Sequence, residues 1–344
     1  MTYSGLRKSS RISLRDSAPL GWPLSMYIEP TNKCNFKCRF CPESLDDYEE
    51  ISGGSYMLDE GGWNLISDQI VEITQGHGIK TLNFYMMGEP FLNPKLLGYI
   101  RDAKLRGLAD RLIVTSNGSL IRSSLHADLV RSGLDYLRIS IYGADETDQK
   151  ANTQTRIPLE RVQKNLRDLI SARDKMGSST PYVYVKMIDQ LSDHKNQCFL
   201  SGFSGIADEV AIEPRMDWNS PENVNLAGVP RDELLSSSYH GNLKSCCPFP
   251  FYTLVIHADL QVSVCCVDWS KSLVIGSLSE SRLTDIWNGR KLRNIQLAHL
   301  RGMRNSIEAC RNCAYLHTSP DTLDGLTAEE FLSRSQRLSG IRGS

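Results

Sequence analysis

Apolar positions alternate between two periods along the chain, and the alternation predicts an α/β fold. Ser25–Glu29 is a short extended run, after which Trp63, Ile66, Ile70 and Ile73 recur on one helical face. Leu82–Met87, apolar at every position but Asn83, reads as a strand buried on both sides. Leu96, Leu97, Ile100 and Ala103 predict a helix stopped by Gly107, and Leu112–Ser116 a strand. Leu125, Leu129 and Val130 predict a helix ending at Gly133, and Tyr136–Tyr142 a strand. Leu159, Val162, Leu166, Leu169 and Ile170 share one face of a long helix that closes near Gly177. Tyr182–Ile188 and Glu209–Glu213 complete six strands alternating with helices, which implies a parallel sheet with right-handed crossovers. In barrels of that kind chemistry gathers at the C-terminal ends of the strands.

From Ser220 the pattern changes. Thr253–His257 and Gln261–Val264 alternate around Ala258-Asp259-Leu260, which predicts a hairpin; a helix holding Ile286, Trp287 and Leu292 follows, and Leu323–Leu338 suggests a terminal helix. The partition is a lead (1–24), an α/β unit (25–219), a linker (220–240), a smaller unit (241–318) and a tail (319–344).

The 39 basic and 40 acidic residues nearly cancel, which gives no argument for nucleic acid or a charged membrane surface. No apolar run approaches the roughly 18 residues of a membrane span, and the Ser/Arg-rich start has no apolar signal core. Ten cysteines without a secretion signal read as metal ligands or reactive thiols, not disulfides, and predict a cytoplasmic protein.

Cys34, Cys38 and Cys41 stand as C-x3-C-x2-C. Three thiolates on one short loop suit an iron–sulfur cluster with one iron left open. Zinc needs a fourth ligand, and no His or further Cys follows until His77. The smaller unit holds two doublets, Cys246-Cys247 and Cys265-Cys266, and a final Cys310-x2-Cys313. On residues alone, a four-cysteine zinc site and an iron–sulfur cluster fit that set equally. Cys198 reads as a small buried apolar residue.

The first cysteine run, with the aromatic Phe40 before its last member, resembles the signature of the radical S-adenosylmethionine (SAM) enzymes. The resemblance implies a [4Fe-4S] cluster whose open iron chelates SAM, and an open partial (β/α)6 TIM-like barrel. One electron then splits SAM to a 5′-deoxyadenosyl radical, which takes a hydrogen atom from substrate. Met87-Gly88-Glu89-Pro90 resembles the family's Gly-Glu-Pro motif, with Met87 in place of the usual first glycine. Gly88 would admit close approach to a ligand, and Glu89 would receive the SAM ammonium. Thr115-Ser116-Asn117-Gly118 resembles the Thr-Asn-Gly element, although Asn117-Gly118 is also an ordinary turn. Ser140 and Tyr142 fall where the family contacts SAM, and Arg156 matches an arginine that meets its carboxylate, or is a solvated helix start.

Hairpin, helix and final C-x2-C resemble the auxiliary-cluster domain of the same family, in its short twitch form, since no cysteine follows Cys313. The family pattern selects Cys247, Cys265, Cys310 and Cys313 as ligands of a second [4Fe-4S] cluster with no open iron, leaving Cys246 and Cys266 over. The resemblance implies oxidation of an alcohol carbon in a sugar or aminocyclitol-like small molecule, with the electron passing to the auxiliary cluster. Alternatives are an epimerase in which Cys246, Cys266 or Cys198 returns the hydrogen, a peptide-modifying maturase, and a non-catalytic iron–sulfur scaffold. Only 33 residues precede Cys34, few for a leader-binding domain. Glu213, Arg215, Asp217 and Trp218 resemble a substrate-side loop, with Arg215 a catalytic candidate. The expected partners are a small-molecule substrate and an electron donor such as flavodoxin or ferredoxin, with no nucleic acid and no membrane.

Overall fold

The computed structural model describes residues 12–214, 244–311 and 313–342, so the expected linker and the residues Arg215, Asp217 and Trp218 lie outside the described residues. Among the described residues nine strands form one open sheet in the order β6-β5-β4-β3-β2-β1-β7-β8-β9. They are β1 (Ser25–Ile28), β2 (Ile79–Asn83), β3 (Ala109–Ser116), β4 (Tyr136–Ile141), β5 (Tyr182–Ile188), β6 (Glu209–Glu213), β7 (Thr253–Ile256), β8 (Gln261–Ser263) and β9 (Val274–Ser277). β1 to β6 pair in parallel and the crossovers between them carry helices.

Two of the crossover helices show how the predicted face is buried. The helix Glu60–Thr74 is capped by Asp59, whose side chain accepts from the Gly62 amide, and it buries Trp63, Ile66, Ile70 and Ile73. The helix Leu159–Lys175 buries Leu159, Val162, Leu166 and Leu169. These side chains join Leu82, Leu112, Leu137 and Val185 from the strands in one core.

The structure corrects several expectations. The second strand begins at Ile79 and stops at Asn83, short of the apolar run Phe84–Met87. Asn83 Nδ2 donates to the Met26 carbonyl at 3.0 Å, and beyond it the chain leaves the sheet to run beside the cysteine loop. Met86 and Met87 are apolar because they wall a cavity there. The helix expected around Ile286–Leu292 is two, Leu283–Trp287 and Arg290–Leu300, broken at Gly289. The helices Glu146–Thr153 and Asp193–Phe203 and the strand β9 had no counterpart in the periodicity. Cys198 lies on Asp193–Phe203 and is exposed, not buried, because Phe199 and Phe203 form the inward face of that helix.

The smaller unit is built onto the larger one's sheet. β7 pairs in parallel with β1 along its whole length, and β8 and β9 continue antiparallel. Glu29 Oε2 sits 3.3 Å from His257 Nδ1, and His257 Nε2 is 3.0 Å from Ser263 Oγ. The order Ser–His–Glu is that of a hydrolase triad, but all three are at most 2% exposed. It fastens the hairpin to the end of β1. The terminal helix Ala328–Arg342 packs Phe331 against Phe251 and beneath Arg293. No helix among the described residues is long and apolar enough to cross a membrane.

Candidate active site and cluster cavities

The cysteine loop leaves the end of β1 and is held on both flanks. Thr31 Oγ1 donates to the Tyr56 carbonyl at 2.7 Å, and Asn32 exchanges hydrogen bonds with the Gly54 carbonyl and the Tyr56 amide. On the other side the Lys37 and Arg39 amides donate to the Thr153 and Asn152 carbonyls, at the end of the helix Glu146–Thr153. Gly88 passes directly under the stem of the loop. A Cβ there would stand 2.4 Å from both the Thr31 and the Lys33 carbonyl oxygens, and the Glu89 amide donates to that Lys33 oxygen at 2.8 Å.

Cys34, Cys38 and Cys41 line one side of a cavity of about 520 Å³. Burial pushes all three thiols up, Cys34 to about 12, with neighbouring acidic groups and each other's charge adding to it. Such thiols ionise when a cation takes them. Gly88, Glu89, Ser116, Asn117, Ser140 and Tyr142 line the same cavity. Glu89 is buried and joins two strand ends: its carboxylate accepts from the Phe91 amide at 3.1 Å, Ser116 Oγ at 2.8 Å and the Asn117 amide at 2.8 Å. Burial raises it to about 7, against the pull of those bonds. Asn117 Nδ2 donates to Asn35 Oδ1 at 2.9 Å, which ties the third strand to the cysteine loop. Tyr142 shares a side-chain hydrogen bond with Ser140, lies near the three thiols and stacks on Phe40 at 6.3 Å. Phe40 therefore backs the site from behind Tyr142, and neither Phe40 nor Pro90 lines the cavity itself. Arg156 is exposed and is not brought to the cavity.

Sequence reasoning missed the cavity's charged wall. Arg138 on β4 and Lys186 on β5 converge on Glu213 at the end of β6, with Lys186 Nζ 2.7 Å from Oε2 and Arg138 Nη2 3.3 Å from Oε1. Tyr184 donates to Oε1 at 3.1 Å. Burial alone would lift the Glu213 carboxyl, but Lys186 and Arg138 hold it at about 2. A signal existed: Arg138 and Lys186 are charged residues set among the buried apolar positions Leu137, Ile139, Val185 and Met187.

A second, smaller cavity is ringed by Cys247, Cys265, Cys310 and Cys313, with His299 and Arg304 beside them. Arg304 Nη1 donates to the Cys310 and Cys313 carbonyls at 2.9 and 3.2 Å, and the Tyr315 amide donates to Cys313 Sγ at 3.3 Å. Among the described residues no group of three or more ligating side chains gathers as round a single ion. The cysteines ring cavities instead, which suits clusters whose irons each take one thiolate. The two leftover thiols part company. Cys246 lines neither cavity and packs with Leu14, Phe251 and Phe331. Cys266 lines the large cavity, where its Sγ donates to Tyr315 Oη at 3.4 Å.

The radical SAM superfamily profile matches residues 28–192, and that of the SPASM iron–sulfur cluster-binding domain matches residues 246–314. The chain is 24% identical over 170 residues to the tungsten-containing aldehyde ferredoxin oxidoreductase cofactor-modifying protein of Pyrococcus furiosus, a match spanning 49% of this chain and 45% of that protein. It thus spans less than half the length of that relative. It is 20% identical over 286 residues to the S-adenosyl-L-methionine-dependent 2-deoxy-scyllo-inosamine dehydrogenase of Niallia circulans, covering 83% of this chain and 90% of that one. The Streptococcus suis protein SuiB, solved bound to the precursor peptide SuiA, shares the fold with a TM-score of 0.60 at 13% identity, over 91% of this chain and 77% of that one. Profiles, cavities and cysteine placement agree, and the chain belongs to the radical SAM superfamily, with a C-terminal SPASM iron–sulfur domain.

Proposed function

We propose that the chain abstracts a hydrogen atom from a polar small molecule seated in the large cavity, and that Cys266 returns one, inverting the carbon. Cys34, Cys38 and Cys41 would hold a [4Fe-4S] cluster, with Glu89, Ser116, Asn117, Ser140 and Tyr142 around SAM. Cys247, Cys265, Cys310 and Cys313 would hold a second [4Fe-4S] cluster. Bound SAM and its cluster supply a 5′-deoxyadenosyl radical. Lys186, Arg138 and Glu213 present donors and an acceptor to hydroxyl or amino groups of the substrate. The observation that carries the reading is the placement of Cys266: a buried thiol on the cavity wall, hydrogen-bonded to Tyr315. Burial raises its pKa, so it stays protonated and can give up S–H as a hydrogen atom. The thiyl left behind regains one proton, for which the Tyr315 hydroxyl is in contact, and one electron from a donor such as flavodoxin or ferredoxin.

A second reading, dehydrogenation of an alcohol carbon, is supported by the relative aligned over 83% of this chain and by a four-cysteine auxiliary site with no open iron. It needs no thiol. Peptide modification is supported by the shared fold of SuiB. Sugars, aminocyclitols and short peptides that trigger 5′-deoxyadenosine release should be turned over in heavy water. The expected product is unoxidised and carries one deuterium at an inverted carbon, and Cys266→Ala loses that product while still forming 5′-deoxyadenosine. A product two hydrogens lighter, formed equally by Cys266→Ala, would overturn the proposal in favour of dehydrogenation.

A further inference from the structure

The helix Arg290–Leu300 brings His299 to the wall of the second cavity, and the mechanism above leaves it unused. Its ring is 2% exposed. The Cys247 amide donates to Nδ1 at 3.3 Å. A backbone N–H has only a proton to offer, so Nδ1 must carry the lone pair and the neutral ring bears its hydrogen on Nε2. Nε2 is buried and has no hydrogen-bond partner among the described residues. A buried donor left unmatched is costly, and the cavity that His299 shares with four thiols is where the acceptor must come from.

We infer that His299 donates a hydrogen bond from Nε2 to a sulfur of the auxiliary cluster and thereby raises its reduction potential. The inference rests on the reading of Cys247, Cys265, Cys310 and Cys313 as cluster ligands. Reduction adds negative charge to the cluster's sulfurs, and a donor aimed at them stabilises the reduced form more than the oxidised one. His299 acts through the cluster, so it is a positioning and tuning residue.

The test uses the full chain, anaerobically reconstituted, with Cys34, Cys38 and Cys41 changed to Ala so that the auxiliary signal stands alone. Redox titration followed by electron paramagnetic resonance should give a midpoint potential that moves negative in His299→Leu and partly returns in His299→Gln, which keeps an N–H. About four irons at an unchanged potential in His299→Leu would overturn the inference. If His299→Leu assembles no cluster, proton double resonance on the unsubstituted reduced cluster decides. A coupled proton that exchanges in heavy water, with coupling to ¹⁵N-labelled histidine, supports the bond, and its absence overturns it. A chain that takes zinc or no iron at this site overturns the cluster assignment and the inference together, a result distinct from iron at unchanged potential.

Discussion

Gly88→Ala should strip the first cysteine loop of its iron while leaving the second cavity loaded. The added Cβ would lie 2.4 Å from the Thr31 and Lys33 carbonyl oxygens and 2.7 Å from the Lys33 nitrogen, where real Cβ contacts essentially never fall below 3.0 Å. All three atoms are backbone, so no rotamer change relieves them. The stem of the loop must move by at least about 0.6 Å at each oxygen, the difference between those two distances. Overpacking of this kind costs roughly 1–3 kcal/mol, and loosening the Glu89 amide to Lys33 carbonyl bond adds about 1 kcal/mol. A total of about 3 kcal/mol disfavours the ordered loop about a hundredfold. The cost falls on residues 31–33 and 88–89, remote in sequence from the second set of cysteines. Iron and sulfide in anaerobically reconstituted protein should drop from about eight of each to about four, with loss of 5′-deoxyadenosine formation. Gly98→Ala is the control, since its Cβ meets nothing within 4 Å, and it should keep full iron and gain up to about 1 kcal/mol of helix stability. A Gly88→Ala protein with full iron and undiminished SAM cleavage would refute the packing argument.

Glu213→Gln should lower the urea midpoint at neutral pH, because it leaves Lys186 and Arg138 buried without their carboxylate. The fall of that carboxyl from its ordinary 4.5 to about 2 is worth about 3 kcal/mol at order of magnitude, fully present above pH 4.5 and lost as the pH drops toward 2, so wild type and variant should converge in acid; parallel profiles would refute this. Cys246→Ala should keep about eight irons with a small loss of stability, as its thiol packs with Leu14, Phe251 and Phe331. Cys247→Ala should lose iron from the second cavity, and the reverse pattern would show that the doublet is used the other way round.

Most of the framework was legible because it rests on periodicity. β5 and β6 begin and end where the alternation places them, and the helices over 60–74 and 159–175 bury the residues their period selects, apart from the half-buried Ile170. The misses have physical causes. The run Leu82–Met87 is apolar at every position but Asn83, and that one polar residue marks where the strand ends and the cavity wall begins. β9 is four residues long and three of them are only half-buried, too short and too mixed to show a period. Gly88 was legible as a residue that something must approach, but the approaching atoms belong to the chain's own cysteine loop. Glu213 drew notice as part of a polar cluster at a strand end, whereas its partners come from β4 and β5 and lie far from it in sequence. Long-range pairing of that kind leaves no local trace.

The doublet Cys265-Cys266 shows what spacing can and cannot carry. The chain leaves β8 at Ser263 and enters a turn in which the Asp268 amide donates to the Cys265 carbonyl at 3.3 Å, so the doublet stands on a turn beyond the strand. Cys265 faces the cavity shared with Cys247, Cys310 and Cys313, and Cys266 faces the cavity shared with Cys34, Cys38 and Cys41. Tyr315 lines both cavities and receives the Cys266 hydrogen bond, so its ring stands between the two sites. Two adjacent thiols on one turn thus line two different cavities. The first doublet differs because its outer member, Cys246, turns into an apolar cluster against the terminal helix and lines neither of the two cavities. Sequence alone makes the doublets look equivalent, and their inequality follows from what packs on the far side of each: Phe251 and Phe331 in one case, an open chamber in the other.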